Sequence, residues 1–438
     1  MMQKQKLTRR ELLKGSAMTA GTLALTGAIV PLAQARGSDT MRVGVIGCGG
    51  RGSGAAQNCV ESSPGVEIVA LADAFEDQLT RLKKRYNVPS NRCFTGLNAY
   101  KQLMALDDIN LVIIATPPGF KPVQFTEAVN RGKNVFIEKP VATCPAGLKV
   151  MLEASQKAAE KGLAVVAGTQ RRHEPKYVET MKRINDGAIG EIVSAQCYWN
   201  MGALWVDRAK QNWDNYKSGK YSDVEWQIRN WLFTGWLSGD HIVEQHVHNI
   251  DVINWAFDDL PEQVRGQGGR QYRTEPQYGN IFDHFGVEFF YPNDVRTISM
   301  CRQINGTTDN VSERVVGTKG VSNCAGTIEG ENAWNYKGPN PNPYVVEHTD
   351  LIKSIRSGNP LNEGKRVTES TMCAIMGRES AYSRQQFKTS WFMSRCTLNN
   401  LPPEDMKLSD SRSLEPFAIP GQYQIPGWVQ PQRGRRRG

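Results

Sequence analysis

"MRVGVIGCGGRGSGAAQNCV", residues 41–60, decides the fold. Its first six residues read as a short buried strand, the glycines as a tight turn, and the small and polar residues after them as a helix. Gly47, Gly49 and Gly52 stand in G-x-G-x-x-G spacing at that junction. In such a loop the first glycine permits the turn, the second lets backbone approach a pyrophosphate, and the third allows close helix packing, so the helix N-terminus can face phosphates. Gly50 and Arg51 belong to the same loop. A second strand, "VEIVALAD", follows at 66–73, and Asp73 closes it 21 residues after Gly52. A carboxylate there accepts hydrogen bonds from the ribose hydroxyls of an adenine dinucleotide. No arginine immediately follows Asp73, and its charge would repel a 2′-phosphate, so NAD is expected as cofactor rather than NADP.

Strand and helix patterns continue to alternate downstream. "AFEDQLTRLKKRYNV" reads as helix, "NLVIIATPP" as strand, 120–131 as helix, "NVFIEKPV" as strand, 145–161 as helix and "LAVVAGTQ" as strand. This alternation predicts an α/β domain with a doubly wound parallel sheet over 36–170. From residue 190 the pattern changes. "EIVSAQCYW", "QVRGQGGRQY", "IFDHFGVEFFY" and "VRTISMCRQ" read as strands, the last two joined by a Pro292-Asn293-Asp294 turn. These predict a C-terminal α+β domain over 171–390 with a largely antiparallel open sheet, through which the chain is expected to self-associate. Helical patterns return at "HTDLIKSIRSG" and "VTESTMCAIMGRESAYSRQQ", and 391–438, rich in Pro, Gly, Ser and Arg, reads as an extended tail.

The net charge of +9 suggests nucleic acid until it is located. Residues 1–35 carry Lys4, Lys6, Arg9, Arg10 and Lys14 against Glu11, and the tail adds Arg433, Arg435, Arg436 and Arg437. The body between is close to neutral, so no basic stripe for nucleic acid is implied. Nine scattered cysteines without a CxxC pair favour reduced, buried thiols over a disulfide framework or a zinc ribbon. At the N-terminus "TRRELLKG" precedes a mildly apolar run ending in Ala33-Gln34-Ala35, the pattern of a twin-arginine signal peptide over 1–35. An exported protein without stable membrane insertion is expected, and that route carries folded, often cofactor-loaded chains.

"NVFIEKPVA" sets Glu138, Lys139 and Pro140 at the carboxyl end of a parallel strand, the edge where ligands of such sheets gather. Together with the glycine loop, Asp73, "IIATPP" with Thr116 and Pro117, and the later sheet domain, it resembles the glucose-fructose oxidoreductase, inositol dehydrogenase and rhizopine-catabolism (Gfo/Idh/MocA) family over roughly 40–385. The resemblance implies that Lys139 lies beside the nicotinamide and the reacting hydroxyl. It also implies that a later helix supplies an acid and a histidine four residues apart, here Glu244 and His248. Glutamate stands where the family has aspartate. The chain further departs after "TP", where Pro118, Gly119, Phe120 and Lys121 replace a pattern that often contains histidine.

That later helix lies in "SGDHIVEQHVHNIDVINW", residues 238–255. On one helix Glu244 and His248 share a face, His241 lies near the same stripe, and His246 points elsewhere. The string H-x-x-E-Q-H-x-H is out of phase with the zinc-hydrolase motifs, so no metal is expected. A base near neutrality suits the removal of a hydroxyl proton as hydride leaves a carbinol carbon, and histidine is the natural choice. Lys139 would steady the alkoxide and Glu244 would orient or charge-balance its neighbours. Residues 198–236 hold six of the ten tryptophans, including Trp199, a density suited either to stacking on sugar rings or to packing. Arg171, Arg172 and His173, after the last strand of the first domain, are further substrate-contact candidates. The expected activity is oxidation of a sugar, sugar acid or cyclitol by a tightly held nicotinamide. One alternative is glycoside cleavage through transient oxidation at C3, although relatives of that type carry a different histidine pattern on this helix. A second is a non-catalytic sugar sensor that keeps the nucleotide fold.

Overall fold

The computed structural model describes residues 40–429, so the expected signal peptide and the terminal arginines lie outside the described residues. Six parallel strands form the first sheet: β1 (Met41–Ile46), β2 (Val66–Asp73), β3 (Cys93–Thr95), β4 (Leu111–Ile114), β5 (Asn134–Ile137) and β6 (Val165–Ala167). Their order is β3-β2-β1-β4-β5-β6. Between them run α1 (Gly50–Ser62), α2 (Glu76–Tyr86), α3 (Ala99–Met104), α4 (Lys121–Asn130) and α5 (Pro145–Glu160). Val43, Val45, Leu111 and Ile113 pack with Ala55, Leu79 and Leu82 on one face. Ile46, Ile114 and Ile137 pack with Leu103, Phe125 and Leu148 on the other. A sheet covered on both sides requires the near-continuous apolar runs seen in the sequence. The strand order reverses between β1 and β4, so the loops after them diverge and open a crevice at the carboxyl edge.

The second sheet has nine strands: β7 (Ile192–Met201), β8 (Gln263–Gly269), β9 (His284–Tyr291), β10 (Val295–Gln303), β11 (Asn310–Gly317), β12 (Gly320–Ser322), β13 (Thr327–Gly330), β14 (Trp334–Asn335) and β15 (Phe387–Lys388). They are ordered β14-β13-β12-β11-β7-β10-β9-β8-β15, antiparallel throughout except for the β10–β7 pair. The Pro292-Asn293-Asp294 turn joins β9 to β10 as expected. Along β10, Thr297, Ser299 and Cys301 are buried while Ile298 and Met300 are exposed, so one face of the sheet is covered and the other is open. The helices of this part are α6 (Pro175–Asn185), α7 (Val206–Lys217), α8 (Asp223–Arg229), α9 (Gly235–Ser238), α10 (His241–Glu244), α11 (Val247–Phe257), α12 (Pro343–Arg356), α13 (Gly364–Ser383) and α14 (Thr389–Arg395).

The late segments fold back onto the first sheet. Leu351 and Ile352 of α12 join the core beneath β1 and β4, and Asn362 makes a parallel bridge to Val165 of β6. After α14 the described residues, up to 429, form no helix or strand, yet they are packed rather than loose: Met406, Ala418 and Ile425 are buried, and Tyr423 Oη donates to Glu379 Oε2 at 2.7 Å. All nine cysteines are unpaired thiols, eight of them buried. Among the described residues no helix is long and apolar enough to cross a membrane.

Candidate active site

The glycine turn occupies the carboxyl edge where the strand order reverses. Gly47 holds φ +86°, and a side chain there would meet the backbone of Ala115 at 2.8 Å. A Cβ on Gly52 would fall 1.7 Å from the Gly47 carbonyl oxygen, so α1 can begin this close to β1 only with glycine. A Cβ on Gly50 would meet nothing within 4 Å, so the loop leaves open space above the start of α1. The cavity there measures about 410 Å³. Gly47, Gly49, Gly50, Arg51, Gly52, Asp73, Thr116 and Pro117 line it; Glu138 and Lys139 do not. The open backbone at a helix N-terminus, with a carboxylate at the end of β2, fits the phosphates and ribose of a dinucleotide.

Asp73 has a second task. Its Oδ2 accepts from the Cys48 amide at 2.7 Å and its Oδ1 from the Phe75 amide at 3.0 Å, tying the glycine loop to β2. Burial pushes the carboxyl up, and those two amides oppose the shift. Each oxygen keeps a free lone pair for a ribose hydroxyl. Arg51 donates through Nε to Glu138 and lies 3.3 Å through Nη2 from Glu347 of α12. The glycine loop is thus tied to the strand end that precedes Lys139. Glu347 is completely buried, and its carboxyl is held well above the usual range by burial and by the charge of Glu138.

Lys139 Nζ donates to the Glu244 backbone carbonyl and lies 3.4 Å from Glu244 Oε1. The longer glutamate therefore still reaches the lysine. His248 is buried and stacks on Trp199, ring centroids 5.8 Å apart. Its ring has no hydrogen-bond partner among the described residues. Burial first, then the charges of Lys139, Arg171 and Arg51, hold its pKa well below the ordinary histidine value. Arg171 lies over Trp199 at 5.9 Å and pairs with Glu313, which also accepts from Asn249 at 2.6 Å. This group can withdraw a proton onto a neutral imidazole and place a cation beside the oxygen that loses it.

The continuous helix expected over 238–255 is broken. α10 ends at Glu244 and α11 starts at Val247, with Gln245 at φ −110°, ψ −53° between them. His246 turns into the sheet, Nε2 2.7 Å from Ser299 Oγ, and Gln245 accepts from Gln303, so two inward polar anchors displace regular helix. His241 consequently does not join a stripe with Glu244 and His248. It is fully buried, against Asp240 at 3.0 Å and the ring of Phe285. Arg172 makes a two-pronged pair with buried Asp251 at 2.9 and 3.0 Å, and His173 lies between Asp350 and Glu363 at 2.7 and 3.5 Å. These two sit in ion-pair networks that hold the domain together, apart from Lys139.

Sequence reasoning missed Lys121. It is buried on α4, donates to the Pro140 carbonyl at 2.9 Å and so supports the turn that carries Lys139; burial lowers its pKa to about 7. The tryptophan-rich segment also divides. Trp213, Trp226 and Tyr216 pack on one another, and Trp236 packs edge-on to Phe120. Trp205 and Trp231, with Arg208 and Arg229, line the dinucleotide cavity. Only the segment's density of aromatics signalled a role. Among the described residues no group of three or more His, Cys, Asp or Glu is placed to hold a metal ion.

Residues 41–168 match the oxidoreductase family model for the NAD-binding Rossmann fold of GFO/IDH/MocA proteins, and residues 177–322 match the GFO/IDH/MocA C-terminal domain. An uncharacterized oxidoreductase of Streptococcus pneumoniae is 23% identical over 358 residues, 78% of this chain and 86% of the relative. An inositol 2-dehydrogenase/D-chiro-inositol 3-dehydrogenase of Halalkalibacterium halodurans is 26% identical over 230 residues, 51% of this chain and 55% of that enzyme's length. Among solved structures, scyllo-inositol dehydrogenase of Lactobacillus casei with bound NAD(H) and scyllo-inositol superposes with TM-score 0.62 at 20% identity, covering 80% of this chain and 99% of that one. At that identity the likeness is one of fold.

Proposed function

The chain belongs to the Gfo/Idh/MocA oxidoreductase family, and from that membership we propose that it oxidises a carbinol carbon of a sugar or cyclitol through Lys139, His248 and Glu244. The inositol dehydrogenases among its relatives support this substrate class. NAD, when bound at the glycine loop, supplies the hydride acceptor. Gly49, Gly50 and the start of α1 would hold its pyrophosphate, and Asp73 its adenosine ribose.

The observation that carries the reading is the convergence of Lys139 with Glu244 on the strand edge that also bears the glycine loop. A carbinol carbon gives up hydride only as its hydroxyl proton is withdrawn. His248 meets the substrate as a neutral imidazole and takes that proton. Lys139 keeps its ammonium directed by Glu244 and steadies the oxygen as negative charge develops. Trp199 stacks on the histidine and offers an apolar wall to the C–H face of a ring substrate.

The test is a panel of inositols, aldoses and sugar acids, followed through the near-ultraviolet absorbance of the reduced nicotinamide. Oxidation of at least one, with losses of about a hundredfold or more in Lys139→Ala and in His248→Ala, is the expected result. Activity equal to wild type in both variants would overturn the assignment. Export through the twin-arginine route is part of the same proposal, supported by Arg9, Arg10 and the Ala33-Gln34-Ala35 site. A reporter fused behind residues 1–35 should be exported, and should stay inside when Arg9 and Arg10 are both lysine; export undiminished by that change would remove the idea.

A further inference from the structure

The cavity over the glycine loop is built from two domains. Asp73, Phe75 and Gln78 line it from the first, and a segment of the second, running from Trp205 through α7 and α8 to Trp231, lines it from across. We propose that this segment is a cap that grips the adenosine half of the dinucleotide and slows its departure; the proposal rests on the assignment of NAD to the glycine loop.

Four observations carry it. Trp205 holds φ 54°, ψ 31°, a left-handed conformation that a tryptophan adopts only when its surroundings impose it, and it remains 43% exposed. Its ring is braced edge-on by Trp231, centroids 5.6 Å apart, and Trp231 is itself anchored against two small apolar clusters, so the Trp205 indole is held beside the cavity. Arg208 lines the same cavity and lies 4.9 Å over the Trp205 ring. It is exposed and, among the described residues, makes no hydrogen bond or close ion pair, which leaves its guanidinium available to a ligand in the cavity. Finally, the segment is latched. Arg229 of α8 reaches Asp77 of the first domain at 3.2 Å and lies 3.8 Å over the Phe75 ring. From the outside, the C-terminal stretch straps it down: Ser411 Oγ and the Arg412 amide both donate to Asp223 Oδ2, at 2.7 and 2.9 Å.

Held indoles and an unpaired guanidinium around a concave space suit one kind of ligand group, a flat, electron-rich, neutral heterocycle that stacks on both. A purine is such a group, and Asp73 places the purine-bearing ribose at this end of the cavity. A sugar ring would be recognised by hydroxyl acceptors as well as stacking, and no carboxylate of the segment lines this cavity. Lys139, which the proposed mechanism sets beside the nicotinamide, does not line this cavity.

The experiment uses the full chain and compares wild type with Trp205→Gly and Arg208→Gln. Glycine is at ease at a left-handed position, so Trp205→Gly removes the ring without disturbing the backbone, and an unchanged melting temperature verifies this. ADP-ribose and nicotinamide mononucleotide are titrated into protein stripped of nucleotide, and the rate of NAD release from loaded protein is measured by stopped flow. Both variants are expected to bind ADP-ribose at least about tenfold more weakly and to release NAD correspondingly faster, with binding of nicotinamide mononucleotide unchanged. Variants that hold ADP-ribose as tightly as wild type overturn the cap while leaving the cofactor assignment intact. Wild type that binds neither ADP-ribose nor NAD overturns both.

Discussion

His248 is a base made by its surroundings. Its imidazole is buried without a hydrogen-bond partner, stacked on Trp199 and faced by the cations of Lys139, Arg171 and Arg51. Burial and the three cations disfavour the imidazolium, so the folded pKa lies well below that of free histidine. A depressed pKa means that the proton-accepting form persists as pH falls through the ordinary histidine range. The acid limb of kcat/KM, which reports the free enzyme, should therefore be flat between about pH 8 and pH 6. A limb centred near pH 6.5 would show that His248 is an ordinary exposed imidazole. Replacing Arg171 with Gln removes one of the opposing charges and should move the acid limb upward in pH. The identity of this residue was legible in the sequence through its spacing from Glu244. Its environment was not, because Trp199, Arg171 and Lys139 arrive from three other segments.

At the scale of an element, the break between α10 and α11 sets the position of Glu244, and Asp240 fixes the start of α10, the short helix that ends at Glu244. Asp240 holds φ 73°, ψ 163°, a region almost confined to glycine. Its buried carboxylate accepts from the His241 amide at 2.6 Å, the Phe282 amide at 2.7 Å and Tyr382 Oη at 2.7 Å. Asp240→Ala leaves those donors unpaired while keeping the unfavourable backbone, at about 1–3 kcal/mol for each donor that water cannot reach. A loss of about 3 kcal/mol or more in urea unfolding is expected, together with a fall in kcat as Glu244 shifts away from Lys139. Asp240→Gly removes the same acceptors but relieves the backbone, and should cost about 1 kcal/mol less than alanine. Equal costs would mean the backbone is unstrained. Such a break cannot be seen in "DHIVEQHVH", whose polar residues satisfy a helix pattern as well as a broken one. The same limit explains other differences. β1, β2 and β4 to β6 are legible because burial on both faces demands apolar runs. β3 is three residues long, "CFT", and partly exposed, β12 to β14 have two to four residues each, and β11 buries only two of its eight, so their patterns do not stand out. The glycine loop could be read because its chemistry lies in six consecutive residues. Trp205, Arg208 and Trp231 could not be assigned to the same cavity, because only tertiary packing brings them there.

At the scale of the molecule, the two sheets are joined by charges as well as by a shared core. His173 leaves the end of β6, Asp350 belongs to α12 and Glu363 immediately precedes α13, so one imidazole links three distant segments. Burial alone would lower the His173 pKa; the hydrogen bonds to Asp350 and Glu363 more than offset it and raise it to about 9. Around it, Glu363 is held well below the usual carboxylate range, where Arg366 at 2.7 Å also favours its charge, and His348 is pushed down to about 3 and stays neutral. His173 is therefore the group in this cluster whose charge changes on the alkaline side of neutrality, near pH 9. Its folded pKa exceeds the unfolded value of about 6.5, so the fold binds the proton more tightly than the open chain does. The stabilisation is complete below about pH 6.5 and is lost as pH rises through 9, amounting to on the order of 3 kcal/mol. The unfolding free energy of wild type minus that of His173→Gln should accordingly be largest at pH 6 and shrink steadily by about pH 9.5. The difference between the two proteins cancels the titration of every group they share, leaving this linkage isolated. A gap that stays constant over that range would mean that His173 is neutral in the fold and contributes no charge to the join between the domains.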